Sequence, residues 1–153
     1  MKEYTIDDIK VPDWETHVKN NPKMYYGDAE ITPEELSKSL KYSAEILGAK
    51  ETKLIAINKW FYFCSDIDWL YKSEFKIDNA VQLFKRPYPF PEAKQLNSFR
   101  TEAVLLPFTT SAYTVSLEEV ISLKGALPSK EEINEHLATL GKWGRIVGYK
   151  TNA

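Results

Sequence analysis

Asp66 and Asp68 are the pair of side chains in this chain best placed by spacing to act together, because residues two apart in an extended segment point to the same side. Two carboxylates so placed could share a divalent cation or meet an Arg or Lys of a partner. A hard cation takes six or more oxygens, and no third oxygen ligand is identifiable, so the pair is read as an acidic strand end exposed to water, which would also serve to meet a partner, and no metal site is expected. The other reactive types stand apart. Cys64 is the single cysteine and lies in a run of aromatics, which marks a buried structural thiol; His17 and His136 have no nucleophile at a supporting spacing and read as surface or boundary residues. One Cys and two His leave too few ligands for a structural zinc. Lys85-Arg86 beside Tyr88 and Phe90 has the make-up of a basic-aromatic patch, but two cations fall short of a nucleic-acid stripe. No catalytic set and no cofactor site emerge from these residues.

These side chains hang on elements whose signals are clear. Thr32-Pro33-Glu34-Glu35 is a capping box with Pro at the first helical position, and Leu36, Leu40, Ala44 and Leu47 follow at helical spacing up to Gly48. Ser129 and Glu132 open a second such helix with the stripe Ile133, Leu137 and Leu140, ended by Gly141, and Ser116 with Glu119 predicts a short helix over 117–123. Lys53 to Ile57 and Trp60 to Ser65, joined at Asn58-Lys59, predict a hairpin. A second hairpin is predicted from Glu102 to Phe108 and Ala112 to Ser116, with Arg145 to Lys150 as a last strand. Between them Arg86-Pro87-Tyr88-Pro89-Phe90-Pro91 lacks alternate N–H groups and reads as a rigid loop or an edge. The fold class is α+β: an antiparallel sheet with helices packed on one face, as one domain over residues 1–153.

Both faces of the first hairpin are apolar, where a sheet covered on one side should alternate. Either the C-terminal segment or the Pro-rich loop covers the second face, or a partner or a second copy of the chain does, which keeps a homodimer open. Phe61 and Phe63, without a polar tip, are assigned to the core. Trp60 and Tyr62, which carry donors suited to a half-wet interface, are assigned with Asp66 and Asp68 to partner binding.

The order of elements also carries a likeness. Trp14 to Gly27, WETHVKNNPKMYYG, followed by the capped helix and the aromatic hairpin, resembles the opening of the ATPase domain of the DNA gyrase B subunit and its GHKL relatives, over about residues 13–70. Anchored on Gly48, the resemblance puts Leu36 where that family has the Glu that activates water and Leu40 where it has the Asn that holds magnesium. Asp66 falls at the adenine-reading Asp of its Asp-x-Gly turn, and Asp68 replaces the glycine. The later glycines, at 125, 141, 144 and 148, do not form a phosphate-wrapping lid. The resemblance implies the family's fold without its hydrolysis, with Met24 and Tyr25 packed against Leu36 and Leu40. A nucleotide-binding or hydrolysing protein that keeps part of the site is the alternative.

Composition bounds the remaining choices. At 153 residues, 43% hydrophobic and 27% charged, the chain has the profile of a globular protein, with no apolar run of membrane-spanning length and an acidic, polar start that predicts a cytoplasmic protein. The net charge of −2, with the acidic excess in the first half, disfavours nucleic acid; the excess is read as a solvated surface, with a basic protein partner drawn by steering as the other reading. The reading is a non-catalytic protein-binding module, an inhibitor or immunity-type bacterial protein that neutralises its partner.

Overall fold

Asn58 and Lys59 both take positive φ, 50° and 71°, the backbone that a tight two-residue hairpin requires. They fold β1 (Thr52–Ile57) onto β2 (Trp60–Ser65) in register from Thr52 opposite Ser65 to Ile57 opposite Trp60. The computed structural model describes residues 13–77, 79–95, 98–116 and 119–151; the polar start at 1–10 lies outside them. Three further strands, β3 (Ser111–Val115), β4 (Val120–Lys124) and β5 (Arg145–Lys150), complete an antiparallel sheet in the order β1-β2-β5-β3-β4. The last strand in sequence is therefore the middle one in space.

The second predicted hairpin is corrected. Residues 102–108 form consecutive 3₁₀ turns, Thr101–Val104 and Leu106–Phe108, and β3 pairs instead with β4. Pro107 lacks the N–H that a ladder needs, and a continuous apolar run reads equally well as a buried helical turn. The short helix expected over 117–123 is likewise a strand from Val120 onward, while Leu117 and Glu118 lie outside the described residues.

Among the described residues five α-helices accompany the sheet: α1 (Trp14–Asn20), α2 (Pro22–Tyr26), α3 (Pro33–Ile46), α4 (Ala80–Lys85) and α5 (Lys130–Leu140). Thr32 Oγ1 accepts the Glu35 N–H at 3.1 Å and Ser129 Oγ accepts the Glu132 N–H at 3.1 Å, so both capping boxes start their helices as read. The α+β class and the antiparallel sheet hold. Most helical segments lie on one face, where Leu36, Leu40 and Ala44 of α3 and Leu83 and Phe84 of α4 pack with Phe63, Val147 and Tyr149. Each buried leucine there is worth about 1.5–3 kcal/mol.

Helix α5 lies over the other face. Ile133, His136 and Leu140 cover Trp60, Tyr62, Cys64, Tyr113 and Ile146 in a second core. The chain's own C-terminal region thus covers the face that a partner was expected to meet. Gly148 makes this core possible: it stands between Tyr62 and Tyr113 in the ladder, and a Cβ there would fall 2.6 Å from the Tyr62 ring. Without that Cβ the two rings close over the strand.

Two ion pairs tie the loops to this frame. Glu102 is fully buried and accepts from Arg100 Nη2 at 2.6 Å, Trp69 Nε1 at 2.9 Å and Ser43 Oγ at 2.8 Å, which joins the first 3₁₀ turn to α3. Such saturation is what a buried charge needs. Arg145 of β5 grips Asp68 through Nε at 3.0 Å and Nη2 at 2.8 Å. Among the described residues no helix is long and apolar enough to cross a membrane.

Candidate functional site

The motif from Trp14 to Gly27 is built onto the 3₁₀ segment by two tethers. Trp14 Nε1 donates to the Ala103 carbonyl at 2.8 Å, and the Tyr26 hydroxyl donates to the Val104 carbonyl at 2.7 Å. Asn21 separates the two short helices, the second of which starts at Pro22, and the turn leaves Tyr25 in an edge-on cluster with Trp14, His17 and Phe99. Met24 is 67% exposed. The expectation that Met24 and Tyr25 lie against Leu36 and Leu40 is therefore corrected: Tyr26 packs onto that core, because consecutive residues on a helix project in different directions and cannot all turn inward.

Between α2, α3 and the 3₁₀ segment lies a groove of about 300 Å³ whose walls include Tyr25, Tyr26, Tyr42 and Val104. Tyr42 is 41% exposed and rests edge-on against Phe90. Several polar groups in the walls are already engaged. Tyr25 shares a 2.9 Å hydrogen bond with His17 Nε2, Ser39 Oγ donates to the Leu36 carbonyl at 2.7 Å, and Thr101 Oγ1 donates to the Ser39 carbonyl at 2.5 Å. Lys38 Nζ pairs with Glu35 at 2.6 Å on the rim. Burial pushes the phenols of Tyr25 and, much further, Tyr26 above the ordinary tyrosine range, so neither is a base at neutral pH. What this arrangement can do is receive an apolar or aromatic group against fixed rings.

The side chains singled out from sequence spread over three places. Trp60 and Tyr62, assigned to a partner surface, are 4% and 0% exposed under α5; that assignment is corrected, since the polar tip of Tyr62 is satisfied inside, by Tyr113 at 2.7 Å and His136 Nδ1 at 2.5 Å. His136 is buried and not a boundary residue, and its Nε2 meets no hydrogen-bond partner among the described residues. Asp66 and Asp68 do not converge. Asp68 is held by Arg145, whereas Asp66 is exposed and accepts the Lys50 N–H through both oxygens, at 3.1 and 3.2 Å. Among the described residues no group of three or more His, Cys, Asp and Glu could hold a metal ion. Cys64 is buried as read, and burial pushes its thiol up to about 12.

Sequence reasoning missed the tyrosine groove, although its signal was present in the adjacent Met24-Tyr25-Tyr26 before Gly27: three large side chains on one turn cannot all face a core. Comparisons with protein-family models, curated proteins and solved structures find no match to this chain.

Proposed function

We propose that the chain is a non-catalytic protein-binding module, of the inhibitor or immunity type in which a small bacterial cytoplasmic protein neutralises a partner by occupying its surface. The observation that carries this reading is the groove of Tyr25, Tyr26 and Tyr42 beside the exposed Met24, in which the Tyr25 and Tyr26 hydroxyls are committed to the chain's own groups. Tyrosine and methionine are the residue types that anchor interfaces, and a pocket with its donors engaged recognises shape more than it activates a bond. The occupant is an apolar or aromatic side chain of the partner, and the Glu35–Lys38 pair offers it a polar rim.

The burial of Leu36 and Leu40 supports this over the nucleotide reading. The resemblance to the GHKL opening puts the base and the metal ligand at these two positions, and both are fully enclosed in the first core. Calorimetric titration with a non-hydrolysable Mg-ATP analogue tests the choice. Binding no tighter than about millimolar agrees with the module. A micromolar constant would favour a nucleotide protein.

A further inference from the structure

We propose that the cleft beside Trp143 takes the guanidinium of an arginine presented by the partner, an assignment that rests on the protein-binding reading and concerns a second place on the surface. The cleft, about 530 Å³, is lined by Glu51, Asp66, Lys142, Trp143 and Gly144. Its frame is fixed by the sheet. The Asp66 N–H donates to the Glu51 carbonyl at 3.0 Å, one step past the ladder pair Thr52 and Ser65, so the two acidic residues stand side by side where β1 begins and β2 ends.

The opposite wall is as firmly held. Trp143 Nε1 donates to the Leu140 carbonyl at 2.8 Å, and the Gly144 N–H donates to the Ser65 carbonyl at 2.8 Å. A Cβ at Gly144 would lie 2.5 Å from the Ile67 backbone, so only glycine lets this loop close onto the segment that carries Asp66. An indole face and two carboxylates are thereby brought to one cleft.

The ring already serves as a platform for a cation. Lys53 Nζ stands 5.9 Å from the Trp143 ring centroid and 3.9 Å from Glu51, on a side chain that is 58% exposed. A compact ammonium on a long exposed stem is easily displaced, whereas a guanidinium can stack on the indole and donate in a fork to carboxylate oxygens. Asp66, pinned by the Lys50 N–H, is the charge held in place at the cleft, whereas Lys53 and Lys142 reach it on long side chains that can swing aside for an incoming cation.

The test is an NMR titration of the full ¹⁵N-labelled chain with Nα-acetyl-arginine methylamide, with the norleucine and glutamate derivatives as controls. The expected result is a saturable shift of the Trp143 indole N–H and the Gly144 amide, with a dissociation constant of about 1–10 mM. Asp66→Asn should weaken binding about threefold. Lys53→Met should tighten it about twofold, because the competing ammonium is gone. Both substitutions are at exposed positions, and an unchanged amide spectrum away from the cleft checks the fold. No saturable shift, an equal response to norleucine, preference for the glutamate derivative, or weaker binding in Lys53→Met would each overturn the assignment. Because the probe is a small molecule, a null result beside a captured partner removes only the arginine site, whereas failure to find any partner removes the module reading.

Discussion

Tyr62 and Tyr113 reach across Gly148 to place their hydroxyls 2.7 Å apart, and Tyr62 continues to His136 Nδ1 of α5. This chain of three polar groups inside an aromatic core joins two strands and the helix above them. Burial is the main cause that raises both phenols above their ordinary range, and it does the same to Tyr26 and Tyr149. A folded-state pKa raised above the unfolded value of about 10 contributes stability that is complete below that pH and is lost as pH rises through it. Titration of tyrosinate absorbance should therefore show these four ionising only together with unfolding, after the exposed tyrosines. A gradual ionisation of all the tyrosines with the fold intact would contradict this burial.

Trp60 and Phe63 face opposite cores, and both are enclosed. Trp60→Ala and Phe63→Ala should each cost about 3–5 kcal/mol in urea unfolding, since each leaves a large cavity. A harmless Trp60→Ala would mean that α5 does not cover that face.

Glu102→Gln keeps the shape of the side chain and removes the charge that Arg100, itself 1% exposed, is paired with. Leaving a buried guanidinium without its counter-charge should cost about 3–5 kcal/mol, read from the same unfolding measurement. A change below about 1 kcal/mol would place this pair in solvent.

The first hairpin, α3, α5 and β5 were legible because their signals are local: a tight turn, two capping boxes and β-branched runs. The 3₁₀ segment from Thr101 to Phe108 was not, because a continuous apolar run with one proline has no periodicity to separate a strand from buried turns. Ser116 and Glu119 have capping-box spacing, yet the backbone there links β3 to β4, with the Ser116 N–H donating to the Glu119 carbonyl at 3.0 Å. The role of Trp60 and Tyr62 depended on what lay above them. His136 is a polar residue within an apolar stripe, and only its hydrogen bond to Tyr62 explains how α5 buries it. Asp66 was found by its type and its spacing from Asp68, but its companions Glu51 and Trp143 are distant in sequence and meet only through the β1–β2 ladder and the loop before β5.

Whether the tyrosine groove holds a protein partner is measured most directly by quantitative binding to immobilised wild-type chain and to its Tyr42→Ala and Met24→Ala variants, using extract from the chain's own cells. Both residues are exposed, so circular dichroism and thermal unfolding should be unchanged. One specific protein should be retained by the wild type, with affinity reduced by on the order of 2 kcal/mol, roughly thirtyfold, in Tyr42→Ala and to a lesser degree in Met24→Ala. Equal retention by all three chains, or no specific protein on the wild type, would contradict it.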